Sequence, residues 1–254
     1  VVDFICTLNY EFNLDINGNT LYVQQDKERT ILVQTDRDIT FENGNIVVDP
    51  SVKASTAVFW MFENQTLTFD NVNITATGVT GTYLIGINGG TGSAVNLLNN
   101  SSIIIDNESQ AGLTAVICDN GTNNNVKIEN STIDVKNIEG RFYLGGTQGD
   151  IVVDNTDITL NGVKEGFYLR ANQTLSIEGE SEVEVVLNDT NNRYGINITD
   201  YSATYTKDDF ATVNATVYDP VVRVKNLTEL QTALVENVDK PIFATETIVI
   251  SEGT

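Results

Sequence analysis

One short pattern recurs along the chain and limits what the chain can fold into. Residues 39–46 read ITFENGNI, and the same order returns as LTFDNVNI from Leu67, VKIENSTI from Val126 and IVVDNTDI from Ile151. A looser copy, LSIEGESEV, begins at Leu175. Each copy predicts a strand, a sharp bend and a second strand, because apolar and polar residues alternate on both sides of the bend. Such self-similarity indicates a solenoid, whose repeats bury their apolar faces only against each other.

Asparagine occupies the bend in five copies, and Gly179 takes its place in a sixth. Asn tolerates the left-handed backbone conformation better than other residues with a side chain, and Gly adopts it freely. Stacked bends let each side-chain amide hydrogen-bond to the amides above and below it, at about 4.8 Å per step. We therefore predict a ladder formed by Asn43, Asn71, Asn100, Asn130 and Asn155.

Alternation before the bend also predicts the interior of the solenoid. Every second residue of a strand points to the same face. One stacked apolar column is therefore expected to contain Phe41, Phe69, Ile128, Val153 and Ile177.

At these residues the chain resembles the right-handed parallel β-helix proteins of pectate-lyase-like architecture, including surface and adhesin-type proteins, whose coils often carry an Asn ladder. The resemblance covers about residues 12–217. It implies an all-β fold, a single right-handed parallel β-helix of about eight coils followed by one short helix and a strand. It leaves the activity open, because this architecture hosts lyases, hydrolases and adhesins alike.

The pattern stops near residue 219, so we predict a parallel β-helix over 1–219 and a separate helix–strand segment over 220–254. Asn226 and Glu229 have the spacing of a helix-capping box, and the strand is expected over 240–251. This segment either caps the last coil of its own chain or begins a following repeat that docks on a neighbour. In the resembled family, a helix and strand of this kind usually open a β-helix.

The net charge of the chain limits the classes of binding partner. The chain has 14 Lys and Arg against 35 Asp and Glu, a formal net charge of −21. Nucleic acids and anionic membranes attract basic surfaces, so neither is expected as a partner. No apolar run is long enough for a membrane span. The chain does not begin with Met and shows no signal peptide, so we expect a mature or excised segment of an extracellular or cell-surface protein.

Histidine is absent from the sequence. This excludes His-based catalytic triads and His-ligated metals. An enzyme would depend on Asp, Glu and Arg instead, with Arg141 and Arg170 near coil corners as the arginines that could approach each other. A polysaccharide lyase or hydrolase of this kind is the alternative to a non-enzymatic module, and we predict no other cofactor than calcium.

Calcium is suggested by an acidic column that precedes the bends. Its members are Glu42, Asp70, Glu129, Asp154 and Glu178, with Asn99 interrupting it in the third copy. Like charges on adjacent coils repel each other, and water or a bound cation relieves the repulsion. Calcium prefers such oxygen ligands, and Glu129 with Asp154 is the neighbouring pair predicted to bind it. A solvated acidic face is the alternative.

Aromatic residues suggest a glycan ligand. Tyr143 and Tyr168 follow Phe142 and Phe167 in consecutive coils, and Trp60 lies near the same column. If the phenylalanines point inward, alternation turns the tyrosines outward as a flat platform for a sugar ring. The alternative is that these rings only cover one another.

Asn-x-Ser/Thr sequons are frequent, as expected for a chain rich in Asn bends and Thr. Asn120 and Asn188 lie in predicted loops and are the expected glycosylation sites, whereas the ladder should occupy Asn100 and Asn130. Taken together, the sequence favours a non-enzymatic structural or adhesive module that self-associates or continues into neighbouring repeats, with head-to-tail assembly through its C-terminal segment.

Overall fold

The computed structural model describes residues 6–8, 10–23, 29–33, 36–49, 57–79, 81–236 and 239–250. It is a parallel β-solenoid of about seven turns with one short helix near its C-terminal end. The predicted solenoid and its helix are therefore confirmed, and the predicted number of coils is close.

Strands make up 58% of the structure. In chain order they are β1 (Cys6–Leu8), β2 (Phe12–Asp15), β3 (Thr20–Val23), β4 (Arg29–Val33), β5 (Asp38–Val48), β6 (Ala57–Met61), β7 (Thr66–Ala76), β8 (Tyr83–Ile87), β9 (Ala94–Leu98), β10 (Ser102–Ala111), β11 (Ala115–Asp119), β12 (Asn125–Glu129), β13 (Thr132–Ile138), β14 (Arg141–Leu144), β15 (Gly149–Asp154), β16 (Asp157–Val163), β17 (Glu165–Leu169), β18 (Gln173–Glu178), β19 (Glu182–Leu187), β20 (Ile196–Ile198), β21 (Thr204–Lys207), β22 (Thr212–Asn214), β23 (Val217–Tyr218), β24 (Val222–Val224) and β25 (Ile242–Ala244). The helix α1 spans Leu227–Glu236.

The strands stack turn upon turn into two long sheets. A nine-stranded sheet has the order β1-β4-β6-β8-β11-β14-β17-β20-β23. A 14-stranded sheet folds along the predicted bend, because β5 and β7 run through it while later turns break there into two strands. Neighbouring strands are parallel, so each turn repeats the position of the last.

The predicted apolar column is confirmed. Register pairs join Phe41 to Phe69 and then pass through Leu97 to Ile128, Val153 and Ile177. All six side chains are buried. The rings of Phe41 and Phe69 stack with centroids 5.7 Å apart, so the column is packed directly from turn to turn.

The left-handed backbone conformation predicted at the Asn bends is confirmed. The predicted continuous ladder of side-chain amides is not. Left-handed φ angles between 46° and 65° occur at the five predicted asparagines Asn43, Asn71, Asn100, Asn130 and Asn155. Among the described residues, however, only one side-chain hydrogen bond joins two of them, from Asn71 Nδ2 to Asn43 Oδ1 at 3.0 Å. The Asn155 amide instead donates to Asp154 of its own turn at 3.0 Å.

The third turn explains part of this correction. Its bend contains one more residue than its neighbours, and both Asn99 and Asn100 are left-handed. Asn99 Nδ2 donates to Asp70 Oδ1 at 2.8 Å, while Asn100 joins the next turn through its backbone N–H, which donates to the Asn130 carbonyl at 2.7 Å. The inserted residue shifts the amides out of line, and backbone hydrogen bonds connect the turns instead.

A ladder of buried hydroxyls follows the bend. The Ser131 N–H donates to Thr156 Oγ1 at 3.3 Å, and the Thr156 N–H donates to Ser181 Oγ at 3.1 Å. Ser101 accepts in the same way from the Val72 N–H at 3.0 Å. Since buried N–H groups need acceptors, these side chains satisfy the backbone where strand pairing is interrupted.

A second corner of the solenoid carries its own left-handed column. This corner connects the nine-stranded sheet to the 14-stranded sheet. The residues of its left-handed column are Asp36, Asn64, Gly92, Asn123, Gln148 and Asn172. Backbone hydrogen bonds link successive turns here, such as Gln148 N–H to the Ala171 carbonyl at 2.8 Å. We call this edge the second corner below. The repeat found in the sequence marks only the first corner.

The C-terminal segment forms a small unit beside the last turn. Strands β24 and β25 pair in parallel, and α1 lies between them in the chain. The capping box is confirmed: Asn226 Oδ1 accepts from the Glu229 N–H at 2.9 Å, and Asn226 Nδ2 donates to Glu229 Oε1 at 2.8 Å. The strand is shorter than the predicted 240–251, because only Ile242–Ala244 pair and the following described residues to 250 form no strand.

Loss of one buried hydroxyl tests the ladder. Replacing Thr156→Val keeps the side-chain shape but leaves the Ser131 N–H without its acceptor, which should lower the free energy of unfolding by about 1–3 kcal/mol. Thr159→Val, on the exposed face of the same region, is the control and should change it by less than about 0.5 kcal/mol. Urea unfolding of both variants measures the difference; equal effects would contradict the ladder.

Candidate functional site

The predicted calcium pair lies together on the outside of the solenoid. Glu129 and Asp154 are register partners on β12 and β15. The Lys127 ammonium forms an ion pair with the Glu129 carboxylate, and neighbouring Asp154 and Glu178 add to the negative field that raises the pKa of Lys127. Across the described parts of the chain, no group of three or more acidic, Cys or His side chains is placed to hold a metal ion. Calcium binding at this pair stays a prediction.

The third position of the acidic column differs from the expectation. Leu98, not Asn99, pairs with Asp70 on one side and follows the register to Glu129 on the other. The extra bend residue in that turn shifts Asn99 out of the column. An aliphatic side chain therefore separates the acidic residues of the first turns from those of the later turns.

The predicted tyrosine platform is wrong for Tyr143. This side chain is 1% exposed and packs in the core, where its hydroxyl accepts a hydrogen bond from Gln173 Nε2 at 2.8 Å. Register pairs Tyr143 with Phe167, and Tyr168 with Leu144, so the two tyrosines are not equivalent. The error arose because Phe142 and Tyr143 both belong to the core, whereas strict alternation allows only one of them inside.

Trp60 shares a column with Tyr168 but is covered. The column runs through Trp60, Gly86, Cys118, Leu144 and Tyr168. Trp60 is only 4% exposed, and its ring lies so close to Gly86 that a Cβ there would approach it to 2.9 Å. Trp60 therefore packs on the nine-stranded sheet and does not join Tyr168 in one open platform.

The structure does assemble a polar cluster around Tyr168. The Arg141 guanidinium lies 4.5 Å from the Tyr168 ring centroid and forms an ion pair with Glu165 at 2.5 Å. Glu165 also accepts from Asn197 Nδ2 at 2.6 Å. Arg170 lies 5.8 Å from the same ring and is exposed. The two arginines thus approach each other across a tyrosine, as the sequence suggested they could.

This cluster is built to hold Arg141 in place. Its side chain is 17% exposed and that of Glu165 is 3% exposed, so the pair is largely removed from water. A buried ion pair is stable only when its remaining hydrogen bonds are met, and Asn197 meets one for Glu165. The Arg141 guanidinium therefore interacts with the Glu165 carboxylate and with the Tyr168 ring.

A second polar cluster lies inside the solenoid. Asp119 pairs in register with Ile87 of the preceding turn, in an inward-facing column, and is fully buried. Its Oδ1 accepts from the Gly121 N–H and from Asn124 Nδ2, each at 2.8 Å. Its Oδ2 has no hydrogen-bond partner among the described residues. Burial raises the pKa of Asp119, while the hydrogen bonds from Asn124 and Gly121 oppose that rise. No sequence pattern indicated this residue.

Cys118 is adjacent to Asp119 and is fully buried as a free thiol. Burial raises the pKa of this thiol to about 11, with the hydrogen bond from Tyr83 acting in the opposite direction. The thiolate is the reactive form of cysteine, and the raised pKa of Cys118 favours the neutral thiol.

An acidic groove lies on the outer face of β16, β19 and β22. It encloses about 390 Å³ and includes the side chains of Asp157, Glu182 and Glu184 along with Thr212 and Asn214. Register places Asp157 beside Glu182, and the residue after each points inward.

The predicted glycosylation sites differ in access. Asn120 is exposed at the second corner, with its amide beside the Tyr83 hydroxyl. Asn188 is half-buried, and its Oδ1 accepts from Arg193 Nη1 at 3.1 Å. Asn100 and Asn130 were expected to be occupied by the ladder; both are exposed, and among the described residues their side chains make no hydrogen bond.

Comparisons with protein-family models, with curated proteins and with solved structures gave no match. Within the described ranges, no helix has the length and apolarity needed to cross a membrane.

Calcium binding can be tested against the competing lysine. The Lys127 ammonium already neutralises Glu129, so Lys127→Ala should strengthen any calcium effect at this pair. We expect calcium to raise the melting temperature of Lys127→Ala more than that of the wild type, since a ligand of the folded state stabilises it by mass action. The double variant Glu129→Gln/Asp154→Asn should not respond. A calcium titration that leaves Lys127→Ala unchanged rejects the site.

The buried carboxyl predicts a pH effect. Because the folded state raises the pKa of Asp119 above the ordinary 3.8, its stabilising contribution is present below that value and is lost as the pH rises toward the raised pKa. Asp119→Asn removes this dependence. Relative to wild type, the variant should gain up to about 1.4 kcal/mol per pH unit in this window.

Urea unfolding at several pH values between 3.8 and neutrality measures this gain. Asp150→Asn, at an exposed position, serves as the matched control and should show no such trend. A stability difference between Asp119→Asn and wild type that does not vary with pH would show that Asp119 is ionised without penalty.

Proposed function

We propose that this protein is a non-enzymatic structural module of the cell surface or extracellular space, which associates head to tail through its C-terminal segment. The observation that carries the proposal is the parallel stacking of strands from successive turns, from β1 to β23, which continues past a one-residue insertion at the third bend. A solenoid of this kind gains length by adding turns, and its stability depends on contacts between neighbours.

The outer faces support a structural role. On the 14-stranded sheet, outward positions hold short polar and acidic side chains in register columns, such as Thr66 with Asp38 and Asp150 with Asn125. The excess of acidic residues keeps such an exposed surface soluble and separates it from other anionic surfaces. These features favour a spacer or adhesive stalk.

Features of the last turn of the solenoid support association with a neighbour through the C-terminal segment. Lys207 takes the position of Ile177 in the apolar column, and its ammonium donates to the Ala211 carbonyl at 3.3 Å. An inward-facing charge discourages another strand from stacking on that edge. The C-terminal unit instead exposes apolar side chains: Leu234, Val235, Val249 and Ile250 are each at least 59% exposed.

Arg223 anchors this unit to the solenoid. Its guanidinium donates to the carbonyls of Tyr201 and Ala203 and to Asp219 Oδ2. The Phe243 ring also lies 6.0 Å from that of Tyr201. The C-terminal segment is thus fixed beside its own last turn while its far side stays open to a neighbour, so anchoring and docking are compatible.

A polysaccharide lyase or hydrolase is the alternative. Of the two arginines in the Tyr168 cluster, Arg141 is paired with the Glu165 carboxylate, and Arg170 is the exposed one. No observation favours a catalytic role for this cluster over a structural one.

Sedimentation equilibrium tests the assembly. We expect the full chain to form oligomers whose mass rises with concentration, and the double variant Val249→Asp/Ile250→Asp to remain monomeric because charge opposes burial of these exposed residues. Val186→Asp on β19, at a residue of 47% exposure, is the control and should still associate. A chain ending at residue 220 should also be monomeric. A full chain that stays monomeric at every concentration overturns the assembly.

A further inference from the structure

Sequons in this chain fall into distinct structural groups. The sequence contains twelve Asn-x-Ser/Thr sites, and the fold places them very differently. An oligosaccharide is bulky and hydrated, so it is compatible with the folded protein only where the asparagine side chain is exposed.

Six sites are buried or already engaged. Asn107 is 1% exposed and points into the interior, where an oligosaccharide cannot fit. The others each hold a hydrogen bond through their side-chain amide group: Asn73, Asn99, Asn188, Asn197 and Asn226. Attachment of a sugar would break the pairing of Asn197 with Glu165 and the cap that Asn226 gives to α1.

Three exposed sites remain at or near bends outside the second corner. Asn100 and Asn130 are on adjacent turns and are joined directly by a backbone hydrogen bond, so they are only about 5 Å apart along the axis. Two oligosaccharides do not fit side by side at that spacing. At the third site, Asn214 is the last residue of β22 and pairs in register with Glu184, so it lies in a strand and not at the second corner.

The last three sites share the second corner. Asn64 lies between β6 and β7, Asn120 between β11 and β12, and Asn172 between β17 and β18. All three are exposed. In the nine-stranded sheet, β8 separates β6 from β11 and β14 separates β11 from β17, so the sites occur on alternate turns. Successive sites are two turns apart, about 10 Å along the axis, and Asn120 lies three residues before Asn123, the left-handed residue of its turn.

Local geometry makes these asparagines available. Asn64 and Asn172 have φ angles of 51° and 57°, which turn them out of the strands at a bend. Their backbone N–H groups are bonded, to the Thr91 carbonyl and to Ser202 Oγ. Neither side-chain amide makes a hydrogen bond to any described residue. The Asn120 side chain is exposed and lies beside the Tyr83 hydroxyl.

We propose that Asn64, Asn120 and Asn172 carry N-linked oligosaccharides that stand in a file along the second corner. The donor is a lipid-linked oligosaccharide: asparagine Nδ2 forms a bond to the anomeric carbon, the bond from that carbon to the lipid phosphate oxygen breaks, and one amide proton passes to a base of the transferring enzyme. The lipid phosphate leaves. This inference rests on the proposed surface location.

A glycan file would give the solenoid one sugar-covered edge and leave its other faces bare. The file adjoins the Tyr168 cluster and the first outward column of the 14-stranded sheet, because Arg170 and Thr174 each lie two residues from Asn172. The C-terminal segment lacks a site of the available kind, because Asn226 is engaged by Glu229. Head-to-tail contact and glycosylation therefore use separate surfaces.

Glycopeptide mass spectrometry of the protein isolated from the cells that make it tests the proposal. We expect an oligosaccharide mass on the peptides containing Asn64, Asn120 and Asn172, and none on the peptide containing Asn107. In that host, each of Asn64→Gln, Asn120→Gln and Asn172→Gln should remove one oligosaccharide, while Asn197→Gln should remove none.

Unmodified asparagine at all three corner sites overturns the proposal, and so does occupancy of Asn107 or Asn197 equal to that of the corner. Protease treatment of intact cells reports the surface location independently. A protein that is accessible to the protease and associates in sedimentation but carries no sugar would overturn only the glycan file and not the proposed function.

Discussion

The whole structure depends on backbone hydrogen bonding between successive left-handed corners. Each turn must bend sharply without leaving buried N–H and C=O groups unpaired, because an unpaired group costs about 1–3 kcal/mol. Asn and Gly reach the required φ, and the freed N–H groups donate to the carbonyls of the next turn, as Asn130 does to Asp154. Two such corners fix the register of every strand between them.

Buried hydroxyls and amides complete what the corners begin. At the first corner the Thr156 hydroxyl accepts from the Ser131 N–H, and the Ser181 hydroxyl accepts from the Thr156 N–H. At the second corner Asn124 plays this role, donating to Asp119 while its Oδ1 accepts from Ser93. The solenoid therefore has an apolar interior with polar ladders at its edges, and Asp119 is the one charged group in the described chain that these ladders bring fully inside.

The fold could be predicted because the repeat combines strand alternation with a residue suited to the bend, and both signals are local. The candidate functional residues could be predicted only in part. The inserted residue that makes both Asn99 and Asn100 left-handed moved the ladder and the acidic column by one position. Tyr143 departs from the prediction because Phe142 and Tyr143 are consecutive residues that both lie in the core, which strict alternation does not allow. Asp119 depends on contacts between turns, so no local pattern reveals it.

Distances between spin labels along one register column test the stacked corners most directly. In a cysteine-free background, labels at position 38 paired with labels at 125, 150 and 204 span three, four and six turns of the same column. Double electron–electron resonance should give separations that rise in proportion to the number of turns. The increase should be about 4.8 Å per turn, reaching about 29 Å for the longest pair. Separations that do not increase linearly with the number of turns would contradict the parallel, in-register stack.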